Sequence, residues 1–78
     1  MKTFAKIFES KKGQVLLTKG YDSDEDQYTL TQTTYLNGIM GATTMSFQEE
    51  EQVDKAFDDY REEDAKAYQK QLDKLLKE

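Results

Sequence analysis

The residues of this sequence whose types and spacing could support chemistry are carboxylates. Asp22, Asp24 and Asp26 have the Asp-x-Asp-x-Asp spacing with which EF-hand loops bind calcium. The segment lacks the glycine of the sixth loop position, where Gln27 stands, and the bidentate glutamate of the twelfth, where Thr33 stands. We therefore expect an exposed acidic turn between two strands, with weak divalent-cation binding at Asp22, Asp24 and Asp26 as the alternative.

A second group of carboxylates lies in residues 49–64. Paired carboxylates can hydrolyse glycosides or hold magnesium, but they need a cleft that raises one pKa and excludes water. A chain of this size with its acids along a helix offers little enclosure. We expect a solvated helix face, which could also bind a basic partner or imitate nucleic-acid phosphates. The carboxylates predicted to contact such a partner are Glu49, Glu50, Asp54, Asp58 and Asp59.

The composition excludes most familiar catalytic chemistry. The 78 residues include no cysteine and no histidine, which removes thiolate nucleophiles, thiolate metal sites and the usual general base near neutral pH. We expect no cofactor and no enzymatic activity. The longest apolar run, Val15-Leu16-Leu17, is far shorter than a membrane span, and no secretory signal is readable at the N-terminus. A cytoplasmic protein is expected.

Charge is distributed in blocks along the chain. The net charge of −5 combines a basic segment (1–19), an acidic segment (20–30), an uncharged segment (31–46), a strongly acidic segment (47–64) and a weakly basic tail (65–78). Such asymmetry indicates a partner surface more than a substrate pocket. The N-terminal lysines, beside Phe4 and Phe8, could contact nucleic acid, but an isoelectric point of 4.7 favours edge protection and complementarity to the acidic helix.

The first half of the sequence predicts an antiparallel sheet of about four strands. Residues 3–8 and 14–19 form a first hairpin, with Gly13 in its turn. Asn37-Gly38 is the preferred pair for a type I′ turn, so residues whose numbers sum to 75 should be partners in a second hairpin, 28–47.

This register gives the second hairpin two distinct faces. Large apolar residues share the inner face with small central residues, Gly41 among them, which leave a shallow saddle that a helix could approach. The outer face is mostly hydroxyl-bearing. Tyr35 and Met40 lie on it, and they are the predicted apolar anchors for a protein partner.

The second half of the sequence predicts a helix. Ser46 and Glu49 fit a capping box, so the helix should begin near Phe47 and continue to about residue 77. Its length of about 46 Å exceeds the width of so small a domain, so it either projects or bends near residues 61–64. With no glycine or proline there, we favour one continuous or gently bent helix. The prediction is a single α+β domain, 1–78, with sheet over 1–47 and helix over 47–77.

An alternative function uses the end of this helix. Its apolar residues could bury their stripe against a second copy and assemble a structural homo-oligomer. The residues predicted to make that contact are Tyr68, Leu72, Leu75 and Leu76.

The hairpin Tyr28–Phe47, which continues through Ser46-Phe47-Gln48-Glu49 into an acidic helix, resembles the plan of small phage-encoded inhibitor proteins, including anti-CRISPR proteins. The resemblance covers residues 28–64 in architecture and composition. It implies stoichiometric occlusion of a site on a larger nucleic-acid-handling complex. The leading hypothesis is therefore a non-enzymatic inhibitory module that binds a basic protein surface without contacting nucleic acid directly.

Overall fold

The computed structural model describes residues 4–36 and 38–76 and places two helices on one face of an antiparallel sheet. The fold is α+β, as predicted. Its elements are β1 (Ala5–Ser10), β2 (Gly13–Asp22), β3 (Gln27–Leu36), β4 (Ile39–Phe47), α1 (Glu50–Asp59) and α2 (Glu62–Leu76). The strands lie in chain order, and pairing of β2 with β3 joins the two predicted hairpins into one meander.

The register predicted for the second hairpin is confirmed. Tyr28 pairs with Phe47, Leu30 with Met45 and Leu36 with Ile39. Gly38 has a φ of +79°, the left-handed conformation that a two-residue hairpin turn requires. Asn37 lies outside the described residues, so the turn type itself stays a prediction.

The first hairpin is longer than predicted. Ser10 pairs with Gly13, so only Lys11 and Lys12 separate the strands. The predicted role of Gly13 is confirmed, because its φ is +133°. A side chain there would also bring a Cβ to 3.2 Å from the carbonyl oxygen of Tyr35 on β3, so glycine serves both the turn and the close approach of the strands.

The core lies between the helices and the two central strands. Val15, Leu17 and Leu30 contribute from β2 and β3, and each is at most 1% exposed. Phe57 of α1 packs against them, together with Val53, Tyr60, Ala65 and Tyr68. Ile39 and Met45 lie on the same side of the sheet, but they remain 52% and 40% exposed because β4 is an edge strand that the helices cover only in part.

The saddle predicted on β4 is occupied by the second helix. A Cβ built on Gly41 would lie 2.6 Å from Leu72 Cδ1, so the missing side chain is what lets α2 approach this edge.

The predicted start of the helix is wrong. β4 continues through Phe47, and α1 begins at Glu50 with Glu49 as its N-cap. The capping box pairs Glu49 with Gln52, whose Oε1 accepts the Glu49 backbone N–H at 3.2 Å, instead of Ser46 with Glu49. Pairing of β4 with β3 extends to Phe47, so the backbone of Ser46 is held in the strand and cannot start a helix.

The helix predicted as continuous or gently bent, with a possible bend near residues 61–64, is interrupted next to that position. Tyr60 adopts an extended conformation (φ −69°, ψ 128°), and the chain resumes as α2 at Glu62. A helix over residues 50–76 would be about 40 Å long, whereas the longest dimension of the molecule is 36 Å. The break lets α1 and α2 both cover the sheet.

Arg61 and its neighbours satisfy the backbone groups that the break exposes. The Arg61 guanidinium donates to the carbonyl of Asp58 at 2.6 Å, near the end of α1. The Arg61 backbone N–H donates to the Asp64 carboxylate at 2.8 Å, at the start of α2. Asp64 interrupts the apolar stripe of a single helix, and this capping contact accounts for it.

Replacing Asp64 with alanine should lower the free energy of unfolding by about 1 kcal/mol, because α2 loses its capping acceptor. Urea denaturation followed by circular dichroism measures the change. Glu63→Ala is the matched control, since it removes an exposed carboxylate from the same turn and should lower stability by no more than about 0.5 kcal/mol. Equal effects of the two variants would contradict a capping role for Asp64.

The side chain of Tyr60 anchors the break to the sheet. Its hydroxyl donates to Gln32 Oε1 at 2.6 Å, and its ring lies 5.3 Å from that of Phe8, centroid to centroid. Burial, followed by the charge of Asp64 and by Tyr68, raises the pKa of Tyr60 from 10.0 to about 12.

This raised pKa predicts a loss of stability in alkali. Between pH 10 and 12 the Tyr60 hydroxyl ionises in the unfolded chain before it does so in the folded chain, so stability falls as pH rises through that window. Wild type should lose about 2 kcal/mol more than Tyr60→Phe between these pH values. Denaturant titrations at a series of pH values give the difference, and the other tyrosines and the lysines are common to both proteins. Parallel curves would contradict the assignment.

Candidate protein-binding surface

The carboxylates predicted to contact a partner lie along α1. Glu49, Glu50, Glu51, Asp58 and Asp59 are exposed, and we call them the acidic surface. Val53 and Phe57 bury the opposite side of the same helix against the sheet. The one basic residue within residues 49–59, Lys55, forms a solvent-exposed ion pair with Asp59 at 3.1 Å, which contributes little in water.

Part of this charge has a structural explanation. Glu50 and Glu51 occupy the first turn of α1, where the helix dipole favours negative charge, and Glu49 belongs to the capping box. Asp54 is turned towards the sheet, and its carboxylate lies 2.8 Å from Lys19 Nζ. A carboxylate that pairs with Lys19 is less available to a partner than the prediction assumed, and Asp54 has a structural role inside the domain.

Asp58 and Asp59 have no such explanation. They occupy the last turn of α1, where the helix dipole disfavours carboxylates, and that turn contains no basic residue. Lys6 and Arg61 donate to carbonyls of this turn and Lys55 pairs with Asp59, so each carboxylate is unfavourable by no more than about 0.3 kcal/mol. Neither Asp58 nor Asp59 contributes a contact to the core.

Tyr35 and Met40 do not join the acidic surface. They pair with each other on the side of the sheet that neither helix covers, and they are 63% and 58% exposed. We call this side the open face. It consists of the odd-numbered positions 5–9 and 27–35 and the even-numbered positions 14–22 and 40–46. A flat partner surface that contacts α1 cannot reach Tyr35 and Met40 at the same time.

The segment proposed for weak cation binding, residues 22–26, is held by contacts within the turn, which we call the acidic turn. Asp22 Oδ1 accepts the backbone N–H groups of Asp24 and Glu25 at 3.0 and 3.4 Å. Asp26, with a φ of 53°, accepts a hydrogen bond from the Tyr21 hydroxyl, which raises the pKa of Tyr21. Within residues 4–36 and 38–76, no group of three carboxylates is placed to hold a metal ion.

The predicted oligomer contacts divide into two pairs. Tyr68 is 5% exposed, and its hydroxyl donates to the Gln32 carbonyl at 3.3 Å, while Leu72 covers Gly41. Both side chains complete the core of their own chain and are not available to a second copy. Leu75 and Leu76, at 60% and 41% exposed, remain on the surface.

A basic cluster lies at the far end of the sheet from the acidic turn, and sequence reasoning missed it. Lys11, Lys12, Lys66 and Lys70 line a shallow depression of about 540 Å³ between the β1–β2 turn and α2, and we call these lysines the basic end. Two of them are paired, Lys66 with Glu62 at 3.4 Å and Lys12 with Asp73 at 3.2 Å. Gln69, 2% exposed, fixes the two elements together by accepting from Ser10 Oγ at 2.8 Å. The spacing of Lys66 and Lys70 indicates one helix face, but their proximity to Lys11 depends on the helix break.

Two lysines of the first hairpin, Lys6 and Lys19, face α1 and complement the acidic helix, as the sequence predicts. Lys19 pairs with Asp54, and Lys6 Nζ donates to the Phe57 carbonyl at 2.8 Å, near the C-terminal end of α1. The two ammonium groups lie 4.4 Å (Lys6) and 4.7 Å (Lys19) from the centroid of the Phe57 ring. These contacts attach α1 to the sheet.

Neither described helix combines the length and the apolar character needed to cross a membrane. Comparison with protein-family models, with curated proteins and with solved structures found no match.

Because Asp54 and Asp58 lie in different environments, replacing each by the neutral asparagine should change the free energy of unfolding by different amounts. Asp54→Asn should lower the free energy of unfolding by about 1 to 3 kcal/mol, because Lys19, whose side chain is 10% exposed, is left without its charged partner. Asp58→Asn leaves the core contacts intact and should not lower stability. Urea denaturation at neutral pH measures both. A similar loss for both variants would contradict the structural role of Asp54.

Proposed function

We propose that this protein is a non-enzymatic, cytoplasmic binding module that occludes a basic, nucleic-acid-binding surface of a partner protein through the acidic surface of α1. The observation that carries the proposal is the position of Asp58 and Asp59. They concentrate negative charge at the end of a helix where the dipole opposes it, without a compensating contact to the core.

The neighbourhood of α1 supports the same assignment. Glu50 and Asp54 line the same surface depression as Gly20 and Tyr21, so the acidic turn lies at the N-terminal end of α1. Exposed negative charge therefore lies at both ends of α1, beside the acidic turn at the N-terminal end and at Asp58 and Asp59 at the other, with Lys55 between them. Carboxylates spaced in this way can attract a cationic groove and replace the phosphates that the groove normally binds.

If Asp58 and Asp59 bind a partner, their removal should change partner affinity without lowering the stability of the fold. The double variant Asp58→Asn, Asp59→Asn should keep the stability of wild type to within about 0.5 kcal/mol, because neither carboxylate contacts the core. The same variant should lose about tenfold in partner affinity, since charge complementarity across the interface is reduced. Denaturant titration and capture on immobilised protein measure the two effects.

The capture experiment needs a control of equal net charge. Glu9→Gln, Glu63→Gln removes two exposed carboxylates that do not belong to the acidic surface, and this variant should retain partners like wild type. Proteins retained by wild type should be nucleic-acid-binding proteins that excess duplex DNA releases. Equal retention by the two double variants, or retention unaffected by DNA, would refute occlusion through α1.

A further inference from the structure

The open face carries almost no charge. Of its seventeen positions, all within the described strands, only Glu9 and Asp22 are charged, although 35% of the residues in the whole sequence are charged. One end of the face is apolar, with Ile7 61%, Leu16 39%, Tyr35 63% and Met40 58% exposed. Thr18, Thr31 and Thr44 form a hydroxyl row nearer the other end, in register across three strands.

This pattern is the reverse of what an isolated sheet favours. A sheet with one covered face normally turns its charged residues towards water. Here Lys6 and Lys19 point to the covered side, where α1 must supply a carbonyl and a carboxylate to satisfy them. Placing both lysines on the open face would avoid their desolvation. The exposed face is therefore kept free of the charges that would obstruct a contact.

The ends of the strands define how a second copy would fit. The β1–β2 turn, which carries the exposed Lys11, and the acidic turn, at the β2–β3 turn, are separated by β2, about 30 Å of extended chain. If two open faces stack with their strands antiparallel, the β1–β2 turn of each copy, with Lys11, lies over the acidic turn of the other copy. The other lysines of the basic end do not take part, because Lys12 pairs with Asp73 and the remaining two lie on α2, on the covered side. A two-fold axis forms this contact twice.

We propose that the open face is a dimerisation surface on which a second copy of this chain stacks face to face, with its strands antiparallel. The nearly uncharged face lets two chains of net charge −5 approach each other, and the opposed ends set their orientation. The helices stay on the outside of the dimer, so the acidic surface of α1 remains accessible. This inference does not depend on the proposed function.

The area available indicates a weak dimer. Four strands about 4.8 Å apart, paired over roughly eight residues, give a flat footprint of about 500 Å² per copy. The dimer would bury about 1,000 Å² in total, near the lower limit of specific interfaces. We expect a dissociation constant in the micromolar range or weaker.

Sedimentation equilibrium of the full chain, from about 10 µM to about 1 mM, tests the contact. Wild type should dimerise within this range. Thr31→Lys, at the centre of the open face, should raise the dissociation constant at least about hundredfold, because each dimer would bury two opposed lysines. Gln71→Lys, an exposed position on α2, makes the same charge change and should dimerise like wild type. Circular dichroism verifies that both variants fold.

A charge exchange tests the orientation. Lys11→Glu and Asp24→Lys should each weaken the dimer about tenfold, and the double variant should regain wild-type affinity. The two residues lie at opposite ends of β2, so recovery cannot arise within one chain. A wild-type monomer at 1 mM, or dimerisation unaffected by Thr31→Lys, would overturn the proposal. Loss of the dimer without recovery in the double variant would overturn the antiparallel arrangement.

Discussion

The packing of Phe57 between two lysines is the interaction on which the rest of this structure depends. Phe57 is 1% exposed, and the ammonium groups of Lys6 and Lys19 both lie within 5 Å of its ring centroid. Lys6 also donates to the Phe57 carbonyl, and Lys19 pairs with Asp54 one turn earlier. One side chain thus ties β1 and β2 to α1 by apolar, cation–π and charge-assisted contacts, in a chain with little core to spare.

This contact determines how charge is divided between the two sides of the domain. The lysines of β1 and β2 are used inside, so positive charge at the surface is left mainly to the β1–β2 turn, Lys55, Arg61 and α2. The carboxylates of α1 that the lysines do not reach are exposed on the helix. The opposite side of the sheet receives almost no charge. The net charge of −5 therefore hides three surfaces of different charge, namely an acidic helix, a basic end and a nearly uncharged face.

Much of the fold could be predicted because its signals are local. Gly13 and Gly38 mark turns that need left-handed backbone, and alternation along β3 separates Leu30 and Thr34 from Thr31 and Tyr35. The helix boundaries could not be predicted in this way. Ser46 and Glu49 satisfy the spacing of a capping box, but β4 holds Ser46 in the sheet, and cross-strand pairing is not visible in a local window. Asp64 interrupts the apolar stripe, and its role becomes clear only beside the N–H of Arg61.

The sequence by itself determined the chemistry that is open to this protein, the α+β class and the register of the second hairpin, because composition, turn residues and side-chain alternation act over a few residues. Only the tertiary structure decided which charges remain available. In the sequence, Asp54 and Asp58 look equivalent, because both are acids on one predicted helix. In the structure, Asp54 pairs with Lys19 of the sheet, whereas Asp58 is exposed. The physical reason is that the environment of a charge depends on which residues pack against it, and that packing joins segments far apart in the chain.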